Sequence, residues 1–233
     1  MRKIIGICGF MGSGKDTIAD YLVNIHQYRR ESFANSLKDA VAAAFNWDRE
    51  ALEGRSKQSR EWREQVDQWW AKRLDMPNLT PRWVLQYWGT DVVRKKFHND
   101  MWIAGLENRL ENATDDIVIT DCRFPNELKA IRKAGGICVS VSRGPKPDWY
   151  ESAISFNAGH KRNMSWALSK GVLEDRNIHA SEYSWVGSNF DAILDNNGTP
   201  AELYEYVETM LRSQEPSPLD ATLTQPEQLH TDS

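Results

Sequence analysis

Short apolar runs alternate with longer amphipathic stretches along residues 1–212, and that alternation predicts an α/β fold, a parallel sheet flanked by helices on both faces. The strongest strand candidates are Lys3–Cys8, Ile117–Thr120, Ile137–Ser142 and Phe190–Leu194, with a shorter one at Arg30–Phe33. Ile18, Leu22 and Ile25 recur at helical spacing and predict an amphipathic helix from about Lys15. Another helix opens at Thr199-Pro200-Ala201-Glu202, where Thr199 caps, Pro200 suits the first position and Glu202 completes a capping box.

The pattern changes over residues 46–110, which read as charge-rich helices carrying Trp62, Trp69, Trp70, Trp83, Trp88 and Trp102. Two readings stay open for these rings: packing helices together, or walling a planar ligand. An insert between strands is a natural place for an acceptor-binding subdomain. A second irregular stretch, about residues 144–186, has the length and position of a lid. It contains Lys161, Arg162, Arg176 and His179, while His26, His98 and His160 have no metal-ligand spacing. Residues 213–233 are rich in Pro, Ser, Thr and Gln and read as a disordered acidic tail.

Composition narrows the class. Hydrophobic residues at 40% and charged residues at 27% are ordinary for a soluble globular chain. No apolar run reaches the roughly 18–20 residues that span a bilayer, and the N-terminal apolar stretch is too short for a signal-peptide core. Cys8, Cys122 and Cys138 lack metal or redox spacing and fall in or beside buried strands, which suits a reducing, cytoplasmic setting. Glu215, Asp220, Glu227 and Asp232 of the tail account for the whole net charge of −4. A neutral body does not carry the basic footprint of a stable nucleic-acid binder.

The segment Gly9-Phe10-Met11-Gly12-Ser13-Gly14-Lys15-Asp16-Thr17 follows a strand and opens a helix, the context a phosphate-binding P-loop requires. Gly12, Ser13 and Gly14 let the backbone wrap a phosphate, the helix N-terminus faces the same anion, and Lys15 reaches the β- and γ-phosphates. Asp16 stands where the usual motif has a hydroxyl, with Thr17 one place later. This points to small-molecule kinases and away from motor ATPases. Asp16 is a candidate helix cap or holder of metal-bound water, and Thr17 a candidate phosphate contact.

Asp121 and Arg123 follow a strand, where ligands of open α/β sheets bind. Asp121 is a candidate for organising Mg²⁺, directly or through water, or for orienting the acceptor. Arg123 suits bidentate phosphate binding. The alternative is a structural Asp–Arg pair starting the next helix. Arg82 is a candidate clamp for an acceptor phosphate, with Gln86 and Asp91 reading base or sugar, against a helix cap and surface salt bridges. Gly89-Thr90-Asp91 reads as a turn between helices, and Arg94-Lys95-Lys96 as a solvated face. Arg143, Arg176 and His179 are further acceptor-side candidates. Asn197 and Gly198, in the last tight turn, are candidate ATP contacts.

Together these segments resemble the deoxynucleoside monophosphate kinases of tailed bacteriophages. The likeness rests on residues 14–20, on Arg82 through Asp91, on Asp121-Cys122-Arg123 with its acidic helix start, on His179-Ala180-Ser181-Glu182 and on Asn196-Asn197-Gly198-Thr199. The resemblance implies transfer of the ATP γ-phosphate, with Mg²⁺, to a dNMP in the cytoplasm of an infected host cell. A dephospho-coenzyme A kinase-like activity is the nearest alternative and an NTP-dependent nucleic-acid-binding protein a more distant one. A homodimer stays open.

Overall fold

The computed structural model describes residues 2–159 and 164–214. Five strands, β1 (Ile4–Cys8), β2 (Arg29–Glu31), β3 (Ile117–Ile119), β4 (Ile137–Ser142) and β5 (Ala192–Asp195), form one sheet in the order β2-β3-β1-β4-β5. Every pairing is parallel, with Ile4 opposite Ile117 and Gly6 opposite Cys138 at the centre. The α/β expectation is borne out. β4 keeps its expected bounds; β2 ends and β5 begins two residues away from theirs, and the remaining strand ends differ by at most one residue. β2 ends at Glu31 because the N–H groups of Phe33 and Ala34 turn away to the Asp121 carboxylate. β5 starts at Ala192, while Phe190 packs edge-on against Trp185.

Side chains alternate across β1, and both faces are buried, as expected for a central parallel strand. Ile5 and Ile7 join Val118, Val139 and Val141 beneath helices α1 (Lys15–His26) and the C-terminal helix Pro200–Ser213. Within α1 the buried residues are Ile18, Ala19 and Leu22. Ile25, expected on that face, is 61% exposed. Ile4, Cys8, Ile117, Ile119 and Cys138 face the other way, into a larger core. Burying each such aliphatic side chain contributes about 1.5–3 kcal/mol, so the central strands anchor the fold. The loop after β1 is thereby held on a rigid edge.

The connection from β2 to β3 holds α2 (Asn35–Phe45), α3 (Arg49–Glu53), α4 (Lys57–Glu64), α5 (Gln68–Leu74), α6 (Pro81–Gln86) and α7 (Met101–Leu110). Asp48, Ser56, Asp67 and Thr80 each accept a backbone N–H at the start of α3 to α6. Such caps let short, charge-rich helices form without long apolar runs. Trp102 is buried, and Trp62, Trp70 and Trp88 pack against the same core. Trp69 and Trp83 lie at the surface, 64% and 37% exposed. Packing thus accounts for four of the six tryptophans.

Gly89-Thr90-Asp91 is not a turn. A continuous π-helical stretch, Tyr87–Phe97, follows α6 directly. Gly89 serves packing instead, since a Cβ there would sit 2.7 Å from Leu37 Cδ2. Arg94 is also corrected: at 6% exposure it is buried, whereas Lys95 and Lys96 are exposed. The helical phase turns only the first residue of that charge run inward.

Beyond β3 come α8 (Pro125–Lys133), then α9 (Tyr150–Asn157), α10 (Met164–Asp175) and α11 (Ala180–Tyr183) between β4 and β5. The closing helix is α12 (Pro200–Ser213), and its expected capping box between Thr199 and Glu202 is present. The stretch 144–186 is anchored by buried Ala153, Leu173, Trp185 and Val186. Phe10 of the glycine-rich loop contacts the rings of Trp149, Tyr150 and Trp185, at centroid distances of 5.5, 6.0 and 4.9 Å. His160, Lys161 and Arg162, and the expected tail from residue 215, lie outside the described residues. No helix among those described is long and apolar enough to cross a membrane.

Candidate active site

The carboxyl ends of the strands open onto a cleft of about 590 Å³. Gly12, Gly14, Lys15, Asp16 and Thr17 line one side, and Arg82, Gln86, Asp121, Arg123 and Arg143 line the rest of the expected set. Basic side chains outnumber acidic ones along it. Residues from α2, α3, α4, α6, α7 and the π-helical stretch make up the far wall, so the insert and the P-loop share one site.

Gly14 is the first residue before α1 and adopts φ 104°, where a side chain is strained. A Cβ there would also meet Asn196 Nδ2 at 2.2 Å. Asn196 Nδ2 donates to Ser13 O at 2.8 Å, tying the end of β5 to the phosphate loop. Asn197, the residue expected to contact the nucleotide, accepts from Gly144 N at 2.7 Å, and Gly198 faces the Glu202 carboxylate. Neither lines the cleft. Ser13 Oγ is buried with no partner among the described groups, and the space over Gly12 is open.

Lys15 Nζ curls back onto the loop, donating to Gly9 O at 2.8 Å and Phe10 O at 2.7 Å. Burial, followed by repulsion from Arg123, lowers its pKa to about 8, although Asp16 and Glu182 pull the other way. Asp16 does not cap α1. Its Oδ1 accepts from Arg30 Nη2 at 2.7 Å, and its side chain stays 65% exposed.

Asp121 reaches the cleft but is already engaged. Oδ1 accepts from Phe33 N at 3.0 Å, and Oδ2 accepts from Ser32 Oγ at 2.5 Å and Ala34 N at 2.9 Å. The carboxylate therefore clamps the turn between β2 and α2 while lining the cleft. No cluster of three or more metal-ligating side chains is found among the described residues.

Arg82 and Arg123 meet at a residue that carried no role in the sequence reading. Glu182 Oε1 accepts from Arg82 Nη2 at 3.0 Å and Arg123 Nη1 at 3.1 Å. Burial raises the Glu182 pKa, but Arg123 and Arg82 outweigh it and leave it below the ordinary value. His179 caps α11 through Nδ1 to Ser181 N, lies 3.6 Å from Asp91 Oδ2 and is held below its usual pKa by burial. Asp91 also pairs with Lys95 at 2.5 Å. Neither His179 nor Asp91 lines the cleft. Arg176 is a surface ion-pair partner of Asp148, also outside it. All three are held by structural contacts beside the cleft rather than in its lining.

Behind Arg123 lies a buried pair. Arg94 and Glu127 side chains are each 4% exposed and in direct contact, and the Arg94 guanidinium sits 4.0 Å from the centre of the Phe124 ring. The other Glu127 oxygen accepts from Arg123 N at 2.7 Å and Phe124 N at 3.1 Å. Glu127 is the third residue of a helix beginning at Pro125, so its capping position was legible; its partner on the π-helical stretch was not.

A glycine-rich loop on a parallel sheet, with a lysine facing arginines across one cleft, defines a P-loop phosphotransferase. Residues 64–153, which hold Arg82, Asp121 and Arg123, match the family model for deoxynucleotide monophosphate kinase. A protein of Acanthamoeba polyphaga mimivirus, named among the deoxynucleotide monophosphate kinases, is 32% identical over 219 aligned residues, covering 88% of this chain and 93% of that one. The deoxynucleoside-5′-monophosphate kinase of Escherichia phage T5 is 26% identical, covering 57% of this chain and 73% of its own. The chain belongs to the deoxynucleotide monophosphate kinase family. Solved structures that align with it include shikimate kinase from Aquifex aeolicus, with 15% identity, a TM-score of 0.42 and coverage of 90% of this chain and 96% of that one. Dephospho-CoA kinase from Campylobacter jejuni aligns at 15% identity and a TM-score of 0.38, over 91% of this chain and 97% of that one.

Proposed function

We propose that the chain phosphorylates deoxynucleoside monophosphates, transferring the γ-phosphate of ATP to a dNMP to give dNDP and ADP. The observation that carries this reading is the placement of Lys15 and the Arg82–Arg123 pair on one cleft, within a chain of this family. Ser13 and the open space over Gly12 suit a polyphosphate on the loop.

Lys15 leaves the Gly9 and Phe10 carbonyls to bind the β- and γ-phosphates, and the backbone N–H groups of residues 12–17 hold them in place. Asp16, exposed beside the loop, with Thr17 next to it, would hold the water of a Mg²⁺ ion bound with ATP, which would supply charge to offset the phosphates; such an ion needs only one or two protein groups besides water and phosphates. Arg82 and Arg123 bind the acceptor phosphate. Leu37, Leu85, Trp102 and Phe124 give the cleft an apolar wall for the base, and Gln86 reads its edge. The acceptor phosphate is itself a nucleophile at neutral pH, so positioning and charge stabilisation supply the acceleration without a strong general base. The stretch 144–186, packed on Phe10, acts as the lid that excludes water.

The test is ADP formation from MgATP with each dNMP and NMP supplied separately, alongside Lys15→Ala. Turnover with at least one dNMP that is lost in Lys15→Ala is the expected result. No turnover with any nucleotide acceptor overturns the proposal.

A further inference from the structure

Arg63, on α4, was assigned no role by its sequence context, yet it lines the same cleft as Arg82 and Arg123. Its guanidinium lies directly on Gly54, the residue ending α3 at φ 67°. A Cβ at Gly54 would stand 2.2 Å from Arg63 Cζ and 2.3 Å from Nη2, so only glycine leaves room for the group. Nη1 donates to Leu52 O at 3.3 Å. Nε is buried without a partner, and among the described residues no carboxylate pairs with this side chain. Arg63, Arg82 and Arg123 line the same cleft, and burial, then Arg82 and Arg123, lowers the Arg63 pKa against a smaller upward pull from Glu64 and Glu53. A partly buried cation beside two others, with an N–H unsatisfied, is unfavourable unless an anion completes the set.

Two carboxylates meet this set: Glu64 Oε1 lies 3.2 Å from Arg82 Nη1 at the outer side, and one Glu182 oxygen is shared by Arg82 and Arg123 between them. A carboxylate oxygen between two guanidiniums has the geometry of a phosphate oxygen bound by the same pair. Glu182 carries one negative charge and leaves Arg63 unserved, whereas a phosphate monoester carries nearly two and offers three oxygens. We propose that Arg63 completes, with Arg82 and Arg123, the site for the acceptor's phosphate, and that Glu182 holds this site as an internal counterion which the acceptor displaces. This inference rests on the dNMP kinase reading for the identity of the acceptor.

The test combines Arg63→Ala, Arg63→Lys and Glu182→Gln in the full chain. Steady-state rates are measured with dNMP varied at saturating MgATP, and the reverse. Inorganic phosphate is titrated calorimetrically into protein saturated with ADP, so that the P-loop is filled. Arg63→Ala raises the dNMP KM about tenfold or more, from the loss of charge-assisted hydrogen bonds, and leaves the ATP KM unchanged. Arg63→Lys recovers only part of this, because an ammonium lacks the planar fork. Glu182→Gln lowers the dNMP KM and tightens inorganic phosphate binding. An unchanged dNMP KM in both Arg63 variants, or weaker phosphate binding in Glu182→Gln, overturns the inference while leaving the kinase reading intact. If no dNMP is turned over by the native chain, that reading fails, and the phosphate titration alone decides whether the three arginines form an anion site.

Discussion

Replacing Arg94 by Met tests whether the buried pair behind the active site is held by charge. The substitution keeps much of the side-chain volume but leaves Glu127 buried with two backbone N–H groups and no counterion. Burial pushes the Glu127 carboxyl up to about 7, with Arg94 and the Arg123 N–H pulling it down. A folded-state pKa above the ordinary 4.5 means this group favours the folded state most at low pH, and that contribution is lost as pH rises from 4.5 towards about 7. Removing Arg94 raises the pKa further and extends the loss to higher pH.

At pH 8 the variant must bury an uncompensated carboxylate or take up a proton, a cost of about 3–5 kcal/mol. For a chain of this size that lowers Tm by roughly 6–20 °C. At pH 5 the carboxyl is largely protonated, and what remains is the contact with Phe124 at 4.0 Å, about 1–2 kcal/mol. Urea unfolding of both proteins at pH 5 and pH 8 measures the difference, with equal m-values confirming the same transition. Adding Glu127→Gln should recover much of the pH 8 loss. An equal destabilisation at both pH values, or no recovery in the double variant, would falsify the account.

Two further outcomes follow from other groups. Because burial and Arg123 bring the Lys15 pKa down to about 8, the free protein loses its ammonium above that pH, so ATP affinity should fall between pH 7.5 and 9.5; a flat titration contradicts this. Glu53 is raised by burial but brought down to about 2 by Lys38 and Arg49, so its pairing stabilises the fold above pH 4.5 and is lost as pH falls towards 2. Glu53→Gln should flatten that acid limb of the stability curve, and an unaltered limb would show the pair contributes nothing.

What the sequence disclosed was what local chemistry decides. The strand before Gly9, the helix after Gly14 and the Thr199–Glu202 capping box depend on neighbours within a few residues, and each stands where its pattern puts it. Arg82 and Arg123 were found as guanidiniums near strand or helix ends, and both line the cleft. Groups whose role depends on distant partners were less legible. Arg94 looked like Lys95 and Lys96 until the π-helical stretch turned it towards Glu127. Asp121 lines the cleft as its position after a strand implies, and what its neighbours in sequence did not disclose is its clamp on the turn at Ser32–Ala34. Arg63 had no motif around it, and Glu182 stood in the His179–Glu182 stretch without a role of its own. Gly54 is the one local clue to Arg63, and its meaning emerges only when α4 folds back over α3.

The cleft also shows how a site built for polyanions is kept stable without them. Lys15 rests on two carbonyls, Arg30 on Asp16 and Asp20, Arg82 and Arg123 on Glu182, and Arg94 on Glu127. These pairings differ in how readily they exchange. Arg94 and Glu127 are each 4% exposed, so separating them strands charge out of reach of water, and the pair is fixed. Glu182 is 23% exposed and Asp16 65%, so each carboxylate can swing towards solvent when a phosphate replaces it. A ligand phosphate gains only the difference between its own contacts and those it displaces. On the proposed reading the exchangeable partners mark the surfaces that meet substrate, and Arg63, with no carboxylate ion pair among the described residues, gives up at most its hydrogen bond to Leu52 O.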